Sequence, residues 1–122
     1  DPMAHINLGR ALRPLMNEKI LILGSGFSFH NMQAFGQARK DPKNIAFDQW
    51  LVETMTNPNL SPVDREDRLI HWENAPHARY CHPSEEHLLP LHLCYGITEM
   101  PAKLVFDGSV LGKKSCAFLW QC

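Results

Sequence analysis

The run His82-Pro83-Ser84-Glu85-Glu86-His87-Leu88-Leu89-Pro90-Leu91 sets two imidazoles and two carboxylates within six residues, directly before an apolar stretch. Imidazole and carboxylate are the side chains that hold iron and zinc, and a solvated loop would need no Leu-Leu-Pro-Leu behind it. A second histidine lies upstream in Gly24-Ser25-Gly26-Phe27-Ser28-Phe29-His30-Asn31, after a short apolar run that ends in glycines. Imidazole is suited to proton transfer near neutral pH, and Asn31 beside it offers a second polar group to orient a ligand. Taken alone, His30 fits a hydrogen-bonded structural histidine better than a catalyst. Taken together, the two motifs point to a metal-dependent site.

The remaining histidines need separate weighing. His77, His82, His87 and His92 recur every five residues, which on a helix is a rotation of about 140° per step. His87 and His92 therefore face different directions and cannot share an ion. His87, beside Glu86 in the first helical turn, is the expected ligand. His92, among Leu91, Leu93 and Tyr95, is expected in the core. Pro90 lacks an N–H and leaves the Glu86 carbonyl free near the site. A plainer reading of residues 82–87 is an acidic, proline-started helix cap with incidental histidines. Gly24-Ser25-Gly26 matches no phosphate loop: Phe29 stands where a dinucleotide fingerprint needs glycine, and no Gly-Lys-Ser/Thr follows. It is also not a nucleophile elbow, so the glycines serve a sharp turn. Cys81 has no cationic sequence neighbour to activate it.

These groups must be placed by secondary structure. Apolar residues at Ile6, Leu8, Leu12, Leu15 and Met16 predict a helix over 5–17. The unbroken run Ile20-Leu21-Ile22-Leu23 predicts a strand covered on both faces. A helix capped by Asn44 is expected to reach Met55, with Phe47, Trp50, Leu51, Thr54 and Met55 on one face. Ser61-Pro62-Val63-Asp64 opens another that runs to about Trp72, with its charged run 64–68 as a solvated face. Pro83 opens a helix that ends before Gly96. Residues 103–106 and 115–120 read as short strands, separated by an Asp107-Gly108 turn and a Gly112 loop. The three tryptophans read as core. This alternation implies one α/β domain over 1–122 with a mostly parallel sheet flanked by helices.

Composition bounds the function. With 12 basic and 13 acidic residues the net charge is −1, which offers no field for nucleic acid or an anionic membrane. No apolar run is long enough to span a bilayer. The start, Asp-Pro-Met-Ala-His-Ile-Asn, has no signal-peptide pattern, so the expected location is cytoplasmic. Cysteines at 81, 94, 116 and 122 form no Cys-x-x-Cys pair. That spacing argues against a zinc knuckle, and reduced thiols are expected.

In this order and separation the two motifs resemble the class III extradiol ring-cleaving dioxygenases, in the branch that includes 4,5-DOPA dioxygenase. Ile20 to Asn31 resembles the catalytic-histidine strand, and Phe47-Asp-Gln-Trp-Leu51 the helix that follows it. The run from His82 to His92, His-Pro-x-x-Glu-His-x-x-Pro-Leu in pattern, is the most specific match. The resemblance implies a divalent ion, Fe(II) first with Zn(II) as the alternative, that binds a catechol and O2. It implies His30 as acid/base histidine or accessory ligand. His87 takes the metal position with Glu86 as the competing assignment, and Asn31 and His82 meet the small aromatic substrate. Members of the family are roughly twice this length. This chain resembles their C-terminal half, so the implied partner is the missing N-terminal half, on the same precursor or a separate chain, or a second copy. The rival expectation is a non-catalytic binding or interaction protein on a truncated dioxygenase fold.

Overall fold

Proline and a short acidic or hydroxyl cap start three of the helices. In α1 (Pro2–Leu12) the Asp1 carboxylate accepts from the Met3 N–H at 3.0 Å. In α2 (Pro42–Thr56) Asp41 caps the N–H groups of Lys43 and Asn44, and in α3 (Pro62–Ile70) Ser61 Oγ accepts from Asp64 N at 3.1 Å. Each side chain satisfies a donor that the first turn leaves unpaired, while proline takes a position where its missing N–H costs nothing. A short α4 (Ala78–Cys81), a 3₁₀ turn (Glu85–His87) and α5 (Leu89–Thr98) follow. The chain closes on a hairpin of β1 (Lys103–Val110) and β2 (Lys113–Leu119). This computed structural model describes residues 1–37 and 40–121.

Helix α1 lies along α5, and α2 packs on β2 and α4. Phe29, Phe47, Leu51, Met55, Leu69, Trp72, Leu88 and Tyr95 fill the core between them. The α1–α5 crossing is so close that a Cβ at Gly96 would stand 2.2 Å from the Ile6 carbonyl oxygen. Gly96 is therefore a packing residue inside α5, not its terminator. Helix α5 also starts later than expected. Glu85, Glu86 and His87 occupy a separate 3₁₀ turn, and Pro90 sits in the first turn of α5. The hairpin turns at Leu111-Gly112, both with positive φ, so the strands are longer than read and Asp107-Gly108 lies within β1.

Two expectations fail. The class is mixed helix and sheet, but among the described residues the sheet is two-stranded and antiparallel, not mostly parallel. Residues 20–23 form no strand: the segment pairs with nothing described and leaves Leu21 and Leu23 each 82% exposed. A buried central strand needs neighbours on both sides, and none of the described elements supplies them. In addition, the charged run 64–68 is not wholly solvated. Arg65 is buried, with Nε donating to the Thr54 carbonyl at 2.9 Å and a terminal nitrogen to that of Asn57. It satisfies the Thr54 carbonyl at the end of α2 and joins the Leu60 N–H on that of Asn57. Trp72 is buried as expected, whereas Trp50 and Trp120 lie half-buried at the core margin. Cys81, Cys94 and Cys116 are free thiols, and Cys122 lies outside the described residues. No described helix is long and apolar enough to cross a membrane.

Candidate functional site

The extended segment that carries His30 crosses the 3₁₀ turn that carries His87. Phe27 N–H donates to the His87 carbonyl at 2.9 Å. The approach requires glycine at 26, where a Cβ would stand 2.3 Å from the same carbonyl oxygen. Beyond that bond the two imidazoles meet face to face, with ring centroids 3.5 Å apart and planes inclined by 17°. Phe27 and Phe35 flank His30 at 6.2 and 6.0 Å. The His87 side chain keeps 37% of its surface open, and its Nε2 lies 3.7 Å from a carboxylate oxygen of Glu86.

Three further contacts fix where His30 stands. Its N–H donates to the Cys81 carbonyl at 2.9 Å. Ser28 Oγ accepts from Cys116 N–H of β2 at 3.0 Å, and the Ser28 carbonyl accepts from His82 Nε2 at 2.9 Å. A carbonyl can only accept, so the His82 proton resides on Nε2. His82 is fully buried, 5.4 Å from the Phe47 ring and edge-on to Trp72 at 6.0 Å. Burial pushes its pKa down to about 4, partly offset by the bond to Ser28. Its Nδ1 has no hydrogen-bond partner among the described residues. Asn31 is also engaged with backbone: its amide nitrogen donates to the Tyr80 carbonyl at 2.8 Å and its oxygen accepts from Gln33 N–H at 3.1 Å.

The structure thus brings His30, His87 and Glu86 together at the surface. Asn31, expected at the substrate, is engaged with the backbone of Tyr80 and Gln33, and His82, also expected there, with that of Ser28 through Nε2. His92 lies apart in the core, its Nε2 donating to the Leu69 carbonyl at 2.8 Å and its pKa lowered by burial. His77 is exposed in a left-handed turn. Burial raises the Cys81 thiol to about 12, which keeps it protonated and unreactive. Sequence reading missed the aromatic wall of Phe27 and Phe35. Phe27 alternates with the buried Phe29, so its exposure was legible in principle, whereas Phe35 reaches the site only through the turn at 32–36.

The donors fit a divalent ion in kind but not in number. An imidazole and a carboxylate suit iron or zinc, yet an open catalytic site takes three protein ligands. Among the described residues no group of three His, Cys, Asp or Glu side chains is gathered closely enough to hold a metal.

Comparison with known proteins sets this geometry in a family. Residues 1–115 match the family described as the catalytic LigB subunit of aromatic ring-opening dioxygenase. The chain is 32% identical over 125 residues to 4,5-DOPA dioxygenase extradiol of Beta vulgaris, covering 97% of this chain and 45% of that protein. It is 34% identical over 98 residues to the protein of the same name from Mirabilis jalapa, covering 79% of this chain and 35% of that one. Dioxygenase tasH of Hapsidospora irregularis is 32% identical over 130 residues, covering 98% and 40%. The chain therefore spans less than half the length of these curated relatives. An uncharacterized protein of Escherichia coli K12, known from its crystal structure, superposes with a TM-score of 0.77 at 21% identity. That match covers 95% of this chain and 48% of that one, and it shows the fold alone. With nearly its whole length matched, the chain belongs to the LigB family of aromatic ring-opening dioxygenases.

Proposed function

We infer that this chain is one portion of a non-haem, metal-dependent dioxygenase that opens a catechol ring, of the DOPA type, with O2. The observation that carries the reading is the His30–His87 stack at 3.5 Å, which joins the two chemically equipped motifs of the sequence in one surface patch. His87 would hold the ion, with Glu86 as the competing ligand and the other ligands supplied from outside this chain. When bound, a divalent ion, Fe(II) first and Zn(II) second, supplies Lewis acidity and a meeting place for the diol and O2.

The chain's own residues do the rest. His30 takes the proton of a ring hydroxyl and returns it as the ring opens, a role worth about 10²- to 10⁴-fold in rate. Its ring is held between Phe27, Phe35 and His87. The two phenylalanines give an aromatic substrate an apolar wall and exclude water from the histidine. Asn31 and His82 act as positioning residues: His82 holds the Ser28 carbonyl two residues before His30, and Asn31, next to His30, ties its segment to the Tyr80 carbonyl.

The test is oxygen uptake by the chain, reconstituted anaerobically with Fe(II) and with the unmatched portion of the Beta vulgaris relative, then given DOPA. Uptake with a yellow ring-opened product is expected. It should be lost in His30→Ala with metal content unchanged, and lost together with the metal in His87→Ala. Uptake that survives His30→Ala would refute the acid/base assignment and favour a non-catalytic role for this portion.

A further inference from the structure

Two open backbone edges border a single apolar cleft of about 600 Å³. One is β2. By strand alternation, its outward-facing residues are Lys114, Cys116 and Phe118. At Lys114 both backbone groups are closed by the Asn44 side-chain amide, at 2.7 and 2.9 Å, and at Cys116 the N–H is closed by Ser28 Oγ. At Phe118 the series stops: its outward groups have no partner among the described residues. The other edge is the extended segment Ile20–Leu23, whose backbone makes no hydrogen bond among the described residues. It diverges from β2 beyond Ser28, and the cleft fills the gap between them.

At Gly24 and Gly26 the segment is backed on one face only. Gly24 and Gly26 point at α5 and the turn before it, where a Cβ would stand 2.6 Å from Cys94 Sγ and 2.3 Å from the His87 carbonyl oxygen. Residues of the other parity, Leu21 and Leu23, lie bare at 82% exposure. Four consecutive apolar residues with free backbone groups are a template for another strand. Proteins that leave an edge open blunt it with charge or proline, and Ile20–Leu23 carries neither.

We propose that this cleft receives an extended apolar strand from the other portion of the same dioxygenase domain, paired along Ile20–Leu23 and covering Leu21 and Leu23. The occupant follows from length. The chain accounts for 35–45% of its curated relatives, so more than half of such a protein is available to supply both the strand and the metal ligands that this chain lacks. The cleft is also lined by His87, so the pairing and completion of the site are one event. The proposal rests on the reading of this chain as part of a dioxygenase.

The experiment mixes the chain with the unmatched portions of the Beta vulgaris and Mirabilis jalapa relatives, followed by light scattering and amide hydrogen exchange. A one-to-one complex is expected, with exchange at residues 20–23 and 118 slowed at least about tenfold. L21K/L23K should abolish it while its circular dichroism and melting temperature as a free chain stay unchanged, because both side chains are exposed. No complex with either portion would overturn the proposal, as would a complex in which these amides exchange at the free-chain rate. Association of the chain with itself through the same amides would overturn the choice of occupant. Protected amides without oxygen uptake would uphold the docking and sink the dioxygenase reading. Uptake without protection would do the reverse.

Discussion

His82 is the residue through which the site and the core are coupled. Its neutral ring lies between Phe47 and Trp72 and holds the Ser28 carbonyl two residues before His30. An imidazolium there would be buried without a counter-charge, which is why its pKa falls to about 4. The folded-state value lies below the ordinary one of 6.5. Between pH 6.5 and 4 the unfolded chain therefore binds more protons, and stability declines as pH falls through that window. Complete titration would remove about 3 kcal/mol. His92 is depressed for the same reason and adds with the same sign. Urea midpoints at pH 7 and pH 5 should show the loss. His82→Phe, which keeps an aromatic ring but cannot protonate, should lower stability at pH 7 by leaving the Ser28 carbonyl unpaired. It should also narrow the pH 7 to pH 5 difference. An unchanged difference would show that His82 is not the group that titrates. Cys81 and Cys116, both pushed up by burial, take no part in this window.

Among the elements, the α1–α5 crossing is the tightest contact and the easiest to break. Gly9 and Gly96 face each other across it: a Cβ at Gly9 would lie 2.1 Å from the Leu93 carbonyl oxygen, and one at Gly96 2.2 Å from that of Ile6. Both obstacles are backbone, so relief requires the helices to part. Gly96→Ala should cost about 2 kcal/mol in chemical denaturation, even though alanine gains about 1 kcal/mol in helix propensity. A neutral result would mean that the two helices are free to separate. This crossing also shows what a sequence can disclose about elements. Ser61-Pro62-Val63-Asp64 opens α3 as read, because a cap is a local matter of one side chain and one N–H. Gly96 misleads because a glycine that ends a helix and one that admits another helix look alike in one dimension. Asn44, taken for a cap, lies inside α2 and closes the edge of β2 instead. Arg65 hides in a charged run because its partners are carbonyls at the end of α2. Ile20–Leu23 reads as a buried strand and is bare here, since none of the described elements pairs with it or covers it. The site was legible as two motifs and a likeness; that Phe35 would join them, and that His82 would turn inward, depends on tertiary placement.

At the scale of the whole molecule, the chain is a folded body with one bare apolar side. Core residues such as Phe47, Met55, Trp72 and Tyr95 are buried without help, so the helices and hairpin form a real interior. Ile20, Leu21, Leu23, Phe27 and Val105 are exposed, and all five border the cleft that His87 also lines. Metal binding tests the proposed need for ligands from outside the chain. A ligand at free concentration L that binds only the folded state stabilises it by RT ln(1 + L/Kd), so a weak site gives little. With His87 and Glu86 as the donors at hand, Zn(II) at sub-millimolar levels should raise the melting temperature of the free chain by no more than about 2 °C. His87→Ala should erase that rise. If the complementary portion supplies the remaining ligands, as proposed, the same metal should give a much larger shift in its presence. A free chain stabilised by many degrees at one equivalent of metal would mean that it already holds a complete site. The need for outside ligands would then fall, while the assignment of His87 would stand or fall with the behaviour of its alanine variant.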